Sequence, residues 1–242
     1  MDKDENTTIQ FYNALAPTYN ARMKSEASND IVRKQVADYF IKTVKGINVL
    51  DLGGGTGKDL RWLIESGYKV RFCEPAINMR NIAIDMNSHE LKSERITFTN
   101  DYQSDFRNWT PETFDIQFDA VLANFAVLNS IDDLPLLFQK IAMVLKPGGH
   151  IVANILDTTR LGRFKYYFKN FLAAFFRGGK PVLVTRQHSI EHTAWLHTPG
   201  YITKSSAATF VVKNVQSLNG FGFMLVHLQY PKAALLADSD NH

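Results

Sequence analysis

The spacing of apolar residues changes along the chain, and each change predicts an element. Phe11, Tyr12, Leu15 and Tyr19 recur near helical spacing over residues 9–23, with a break predicted at Pro17. Residues 1–8 are charged and polar and are expected to fray. A helix is predicted over 29–45, with Ile31, Val32, Val36, Tyr39, Phe40 and Val44 on its buried face. An unbroken apolar run then predicts a buried strand at 47–52, followed by a helix at 58–66 and a second strand at 69–73. The alternation continues with a helix at 76–87, a strand at 96–99, a short segment at 104–109 and a strand at 118–123. A helix at 131–145 follows, begun by Asp132, Asp133 and an early Pro135, then a strand at 150–156. Strands alternating with helices predict an α/β fold, Rossmann-like and doubly wound on a mostly parallel sheet.

Beyond 156 the pattern loosens. Residues 160–176 are rich in aromatics, among them Phe164, Tyr166, Tyr167 and Phe171. Residues 186–196 alternate weakly and predict one strand, carrying His188 and His192 on a common face. A short helix at 203–208 precedes a strand at 210–218, expected to insert antiparallel at the sheet edge. Residues 221–228 fit a strand or a helix, and the polar tail 237–242 is expected to be disordered.

Composition narrows the class. The 242 residues are 45% hydrophobic, enough for one large α/β domain or a domain with a lid. A net charge of +3 gives no reason to propose a nucleic-acid or membrane surface. Cys73 stands alone, which excludes an intrachain disulfide framework and fits a reducing, cytoplasmic setting. No stretch resembles a signal peptide or a membrane span.

The chemistry gathers at the first strand end. Asp51 is followed by Gly53, Gly54, Gly55 and Gly57, and then by a helical pattern. Strand, glycine turn and helix build a nucleotide site at the carboxyl edge of an open sheet, where a ligand meets bare backbone. The dinucleotide fingerprint needs a small residue where Lys58 stands. The phosphate loop needs glycine at Leu52 and a hydroxyl at Asp59, so neither pattern is met. Glu74, at the end of the second strand, is placed to accept ribose hydroxyls, a geometry common to several nucleotide cofactors. His188 and His192 are weak candidates for a catalytic base, with a solvated surface as the plainer reading. No Cys, Asp or Glu cluster has ligand spacing, so no metal is expected.

The loop at 51–57 resembles motif I of the class I S-adenosylmethionine (SAM) methyltransferases. Three more stretches carry the likeness. Residues 11–20 are similar to the "Y-x-x-x-A-x-x-Y-D" opening of small-molecule methyltransferases, with Asn20 where aspartate is common. Residues 74–79 are similar to "D/E-P-S-x-x-M", and 145–149 match the "L-K-P-G-G" turn. The resemblance implies a seven-stranded sheet with a late antiparallel strand, SAM as cofactor and S-adenosylhomocysteine (SAH) as product. It implies that Asp51, Gly53, Gly54, Gly55 and Tyr19 surround the methionine part, that Glu74 and Pro75 lie at the ribose, and that Met79, Asp101 and Tyr102 meet the adenine. Asn124 would offer a backbone carbonyl near the amine. Tyr12, Phe125, Tyr166 and Tyr167 are candidates for contact with the methyl acceptor. Relatives often carry a histidine shortly after the fourth strand, where this chain has Val127, Leu128 and Asn129.

The expected organisation is a helical cap at 1–45, a SAM-binding core at 46–156, a substrate lid at 157–200 and completion of the sheet at 201–242. The expected activity is methyl transfer to an oxygen, nitrogen or carbon of a small molecule, by a monomer or homodimer. Two alternatives stay open: a methyltransferase-like module that binds SAM or a partner without turnover, and a nicotinamide-dependent oxidoreductase.

Overall fold

The structure is a computed structural model that describes residues 3–24, 27–88, 94–157, 181–187, 189–219 and 222–232. Two helices, α1 (Lys3–Lys24) and α2 (Ala27–Thr43), precede β1 (Asn48–Leu52), α3 (Leu60–Glu65), β2 (Lys69–Cys73), α4 (Ile77–Met86) and β3 (Ile96–Phe98). Then come α5 (Asp101–Ser104), β4 (Phe118–Ala123), α6 (Leu134–Val144) and β5 (Leu145–Leu156). A separate hairpin of β6 (Val182–Gln187) and β7 (Ile190–Trp195) is followed by α7 (Pro199–Ser206), β8 (Val211–Ser217) and β9 (Phe223–Gln229).

Seven strands form one sheet in the order β3-β2-β1-β4-β5-β9-β8. The pairs β2–β3, β1–β2, β1–β4 and β4–β5 are parallel, and β9 alone runs against the other six strands. The late antiparallel strand is therefore 223–229, one place in from the edge, and the edge strand 211–217 runs with the core. Both faces are covered, so alternate strand residues enter two cores. Val49, Phe72, Leu122 and Val152 pack with Val36 and Phe40 of α2 and Leu63 of α3. Leu50, Val121 and Ile151 pack with Leu137, Phe138 and Ile141 of α6. Ile31, predicted on the buried face of α2, is 52% exposed.

Three elements depart from their predicted form. α1 begins at Lys3 and runs through Pro17 without breaking. Proline lacks the N–H that would bond the carbonyl four residues back. Here that carbonyl, Asn13 O, accepts instead from Asn78 Nδ2 at 3.1 Å. Asn13 Oδ1 in turn accepts from the Asn78 N–H in the first turn of α4, at 2.8 Å, so a side chain of α1 caps α4. Residues 146–149 are not a turn before the strand. β5 starts at Leu145, and the register jumps from Phe118–Leu145 to Ala120–His150, so these residues bulge out of the strand. The single strand predicted at 186–196 is a two-stranded hairpin. The aromatic segment 160–176, with Tyr166 and Tyr167, lies outside the described residues, as do His188 and the tail 237–242.

Candidate functional site

Strand order reverses between β2 and β4, on either side of β1, which opens a crevice at the carboxyl ends of the strands. A cavity occupies that crevice. Its floor is Asp51 and Leu52, then Gly53, Gly54 and Gly55, with Glu74, Pro75, Ala76 and Met79 from β2 and α4, and Asn124 and Phe125 from β4. Tyr12 and Tyr19 of α1 form its roof. Gly53 has a φ of +65°, and a Cβ there would come within 2.7 Å of Val127 Cγ1. A Cβ on Gly54 would come within 2.7 Å of Asp51 Oδ2 and press on the Phe72 ring.

The two acids differ in how they are satisfied. Glu74 is buried and accepts from Gly55 N at 2.9 Å on one oxygen and from Ala76 N at 2.8 Å on the other. Burial pushes its carboxyl up to about 7, against the pull of these two N–H donors and of Arg80. Asp51 is 1% exposed, and its Oδ2 has no hydrogen-bond partner among the described residues. Burial first, and the neighbouring Asp59 second, hold its carboxyl well above the ordinary range, while Arg33 acts the other way. A buried acceptor without a donor is costly unless a ligand supplies one.

Asn20 differs from the common aspartate in a way the packing explains. Its Oδ1 accepts from Thr56 Oγ1 at 2.7 Å and its Nδ2 donates to Met86 Sδ at 3.4 Å, so the amide uses both ends to tie α1 to the glycine loop and to α4. Tyr12 is half-buried and hydrogen-bonded to Ser130, and loss of solvent around the ring raises its phenol, as it does that of Tyr19.

Residues 19–196 match the sequence family described as "Methyltransferase domain". The chain belongs to this methyltransferase family. No curated protein matches the sequence. The methyltransferase is similar in fold to the protein of the "DhpI-SAH complex structure", with TM-score 0.66 and 17% identity, covering 94% of this chain and 97% of the other. It is also similar to an S-adenosylmethionine-dependent methyltransferase from Clostridium acetobutylicum ATCC 824, with TM-score 0.64 and 14% identity over 91% and 99% of the two chains. A third likeness is to the N-methyltransferase NodS from Bradyrhizobium japonicum WM9, solved with S-adenosyl-L-homocysteine, with TM-score 0.60 and 11% identity over 87% and 91%. At these identities the likeness speaks for the fold.

In this methyltransferase, three predicted positions lie elsewhere. Asp101 and Tyr102 are not in the cavity wall. Asn100 and Gln103 form a capping box that starts α5. Asp101, 85% exposed in its side chain, pairs with the buried Arg80, and Tyr102, 61% exposed, donates to Asn108 O at 3.4 Å. Ser104 and Phe106 from the same segment line the cavity instead. His192, read most plainly as a surface residue, is buried. It stacks on Phe11 at 5.0 Å, its Nδ1 lies 3.4 Å from Thr8 Oγ1, and burial lowers its imidazole to about 4. It is not in the cavity wall, so it joins the hairpin to α1.

Sequence reasoning passed over Arg33 and Asp59, which line the cavity as an ion pair. Arg33 lies within the predicted helix 29–45 but is not one of its apolar positions. Asp59 looked like the failed hydroxyl position of a phosphate loop. The available signal was Asp59 at the start of α3, where an acid caps a helix. Its side chain makes no cap and is used by Arg33, Asn124 and Trp62. Among the described residues no group of three or more His, Cys, Asp or Glu could hold a metal, and no helix is long and apolar enough to cross a membrane.

Proposed function

We propose that this methyltransferase uses S-adenosylmethionine to methylate an oxygen, nitrogen or carbon of a small-molecule acceptor. The observation that carries the reading is Asp51 Oδ2, a buried acceptor without a donor beside the bare main chain of Gly54. An ammonium group is the donor that fits it, and a phosphate is not. When bound, the cofactor supplies a methyl carbon already activated by its sulfonium. The chain's work is then orientation and exclusion of water.

In this reading Asp51 accepts from the amino group, and Arg33 and Tyr19 meet the carboxylate. Glu74 has lone pairs left on both oxygens for the ribose hydroxyls. Met79, Ser104 and Phe106 enclose the adenine, the thioether of Met79 suiting an aromatic face. Asn124 faces the amine. Tyr12, Phe125 and the 127–131 segment bound the acceptor, and α1 closes the site from above. Residues 1–45 serve as cap, 46–156 as core, 157–200 as lid and 201–242 as completion of the sheet.

Calorimetry with SAM and SAH tests the cofactor, with Glu74→Ala as control. Binding to wild type that is lost in the variant is the expected result, and no binding to folded wild type overturns it. Turnover of labelled SAM against a panel of metabolites tests the acceptor class.

A further inference from the structure

Behind the cavity wall runs a buried polar chain that crosses four elements. Arg33 of α2 pairs with Asp59 Oδ2. Asn124, at the end of β4, donates from Nδ2 to the same oxygen at 3.0 Å. Asn154 of β5, 0% exposed, donates from Nδ2 to Asn124 Oδ1 at 2.9 Å. Asn154 Oδ1 accepts from Ala126 N at 3.0 Å, and Asn124 Oδ1 accepts from Phe125 N at 3.0 Å.

The two residues so held are strained. Phe125 and Ala126 have φ of 59° and 61°, left-handed values that side chains with a Cβ rarely adopt. Such strain persists where the surroundings over-determine it, and it collects at functional sites. Here the restraints are two asparagines: the Asn124 side chain takes the Phe125 N–H, and the Ala126 N–H is shared between the side chain of Asn154 at 3.0 Å and its main-chain carbonyl at 3.2 Å. The result reaches the cavity at three points. The Arg33 guanidinium is seated 4.4 Å from the centre of the Phe125 ring. Asn124 is fixed at both ends of its amide. Val127, just beyond the strained pair, packs where a Cβ on Gly53 would stand.

We infer that Asn154 is a positioning residue for the amino-acid end of the cofactor, acting through Asn124 and the 125–126 turn on Arg33 and the glycine loop. The inference rests on the reading that SAM occupies this cavity. Asn154 itself is not in the cavity wall, so it acts at a distance from any ligand. The orientation of each amide is settled by its partners. Asn124 must offer N–H to the Asp59 carboxylate and oxygen to Phe125 N–H, and Asn154 must then present N–H to Asn124 and oxygen to Ala126 N–H. Neither amide can flip without breaking two bonds.

The test compares two probes on the full chain by calorimetry. SAH carries the amino-acid end, and 5′-methylthioadenosine lacks it. Wild type is measured first with SAH, so a failure of the cofactor reading is seen before any variant is made. Asn154→Ala is expected to weaken SAH about tenfold, while 5′-methylthioadenosine changes by less than about twofold, as befits loss of one or two hydrogen bonds felt at one end of the ligand. Asn154→Asp is the second variant, for the case that alanine does not fold. It keeps size and the acceptor for Ala126, loses the donor to Asn124, and is expected to show the same split. Equal weakening of both probes would make Asn154 merely structural and overturn the proposal, as would unchanged affinity for SAH.

Discussion

Glu74 keeps a main-chain donor on each oxygen, yet burial still raises its carboxyl from 4.5 to about 7. The sign follows from proton counting. Between these values the folded, ligand-free protein holds a proton that the unfolded chain has released. This contribution to stability is full below about 4.5 and is lost as pH rises through about 7. Ribose hydroxyls donate to the ionised form, so ligand binding has the opposite slope. We expect SAH affinity to rise from pH 6 to about pH 8, and Glu74→Gln to flatten the calorimetric profile while lowering affinity throughout. Asp51 makes a different trade. Its buried carboxyl has no partner on Oδ2 and is disfavoured as an anion by burial and by Asp59, so Asp51→Asn is expected to raise the melting temperature of the ligand-free protein while reducing SAH affinity about tenfold or more. Both acids were legible in the sequence, because each closes a strand. Their opposite satisfaction was not, since it depends on which main-chain N–H groups the folded loop turns toward them.

At the scale of elements, Pro17 and Asn13 are best understood together. Proline frees the Asn13 carbonyl, Asn78 takes it, and the Asn13 side chain caps an α4 whose own N-cap, Ala76, has no side-chain oxygen. Asn13→Ala is expected to cost about 1 kcal/mol in chemical denaturation, the usual worth of a cap. Amide hydrogen exchange should speed at the start of α4 before it does elsewhere. The sequence shows Pro17 as a break because the rule for proline concerns the isolated helix, and the partner that takes up the spare carbonyl is 65 residues away. The bulge at 146–149 was missed for a related reason. Glycines after a helix signal a reversal, whereas pairing of Leu145 with Phe118 brings the strand's start forward to the helix end. Elements defined by their own period, such as β1, β2 and β4, were read almost to the residue. The hairpin at 182–195 was read as one strand, and its burial was not read at all, because His192 owes its place to Phe11 on a distant helix.

The wall of the site is drawn from α1 as well as from the sheet and α4, and this has a thermodynamic consequence. The two sheet cores do not include α1, which is held by Asn13, Asn20, the stack of Phe11 on His192 and an apolar cluster in which Ala16 packs with Ala76 and Met79. Tyr12 and Tyr19 nonetheless close the cavity from above. A ligand seated on Asp51 and Glu74 therefore bridges α1 to the core, and its binding energy adds to the contacts that hold the roof. Ligand that binds only the folded chain at a hundred times its dissociation constant stabilises by about 2.7 kcal/mol. For a domain of this size that corresponds to a rise in melting temperature on the order of 5–10 °C. We expect SAH to produce this rise in wild type, and to slow proteolysis within α1 by more than it slows cleavage in the sheet. In Asn13→Ala the roof is looser before ligand arrives. SAH should then rescue more of the protection of α1 than in wild type, at the expense of affinity. If SAH raised the melting temperature while leaving α1 as open to protease as before, the ligand would be held by the floor alone, and the place of Tyr12 and Tyr19 in the site would have to be given up.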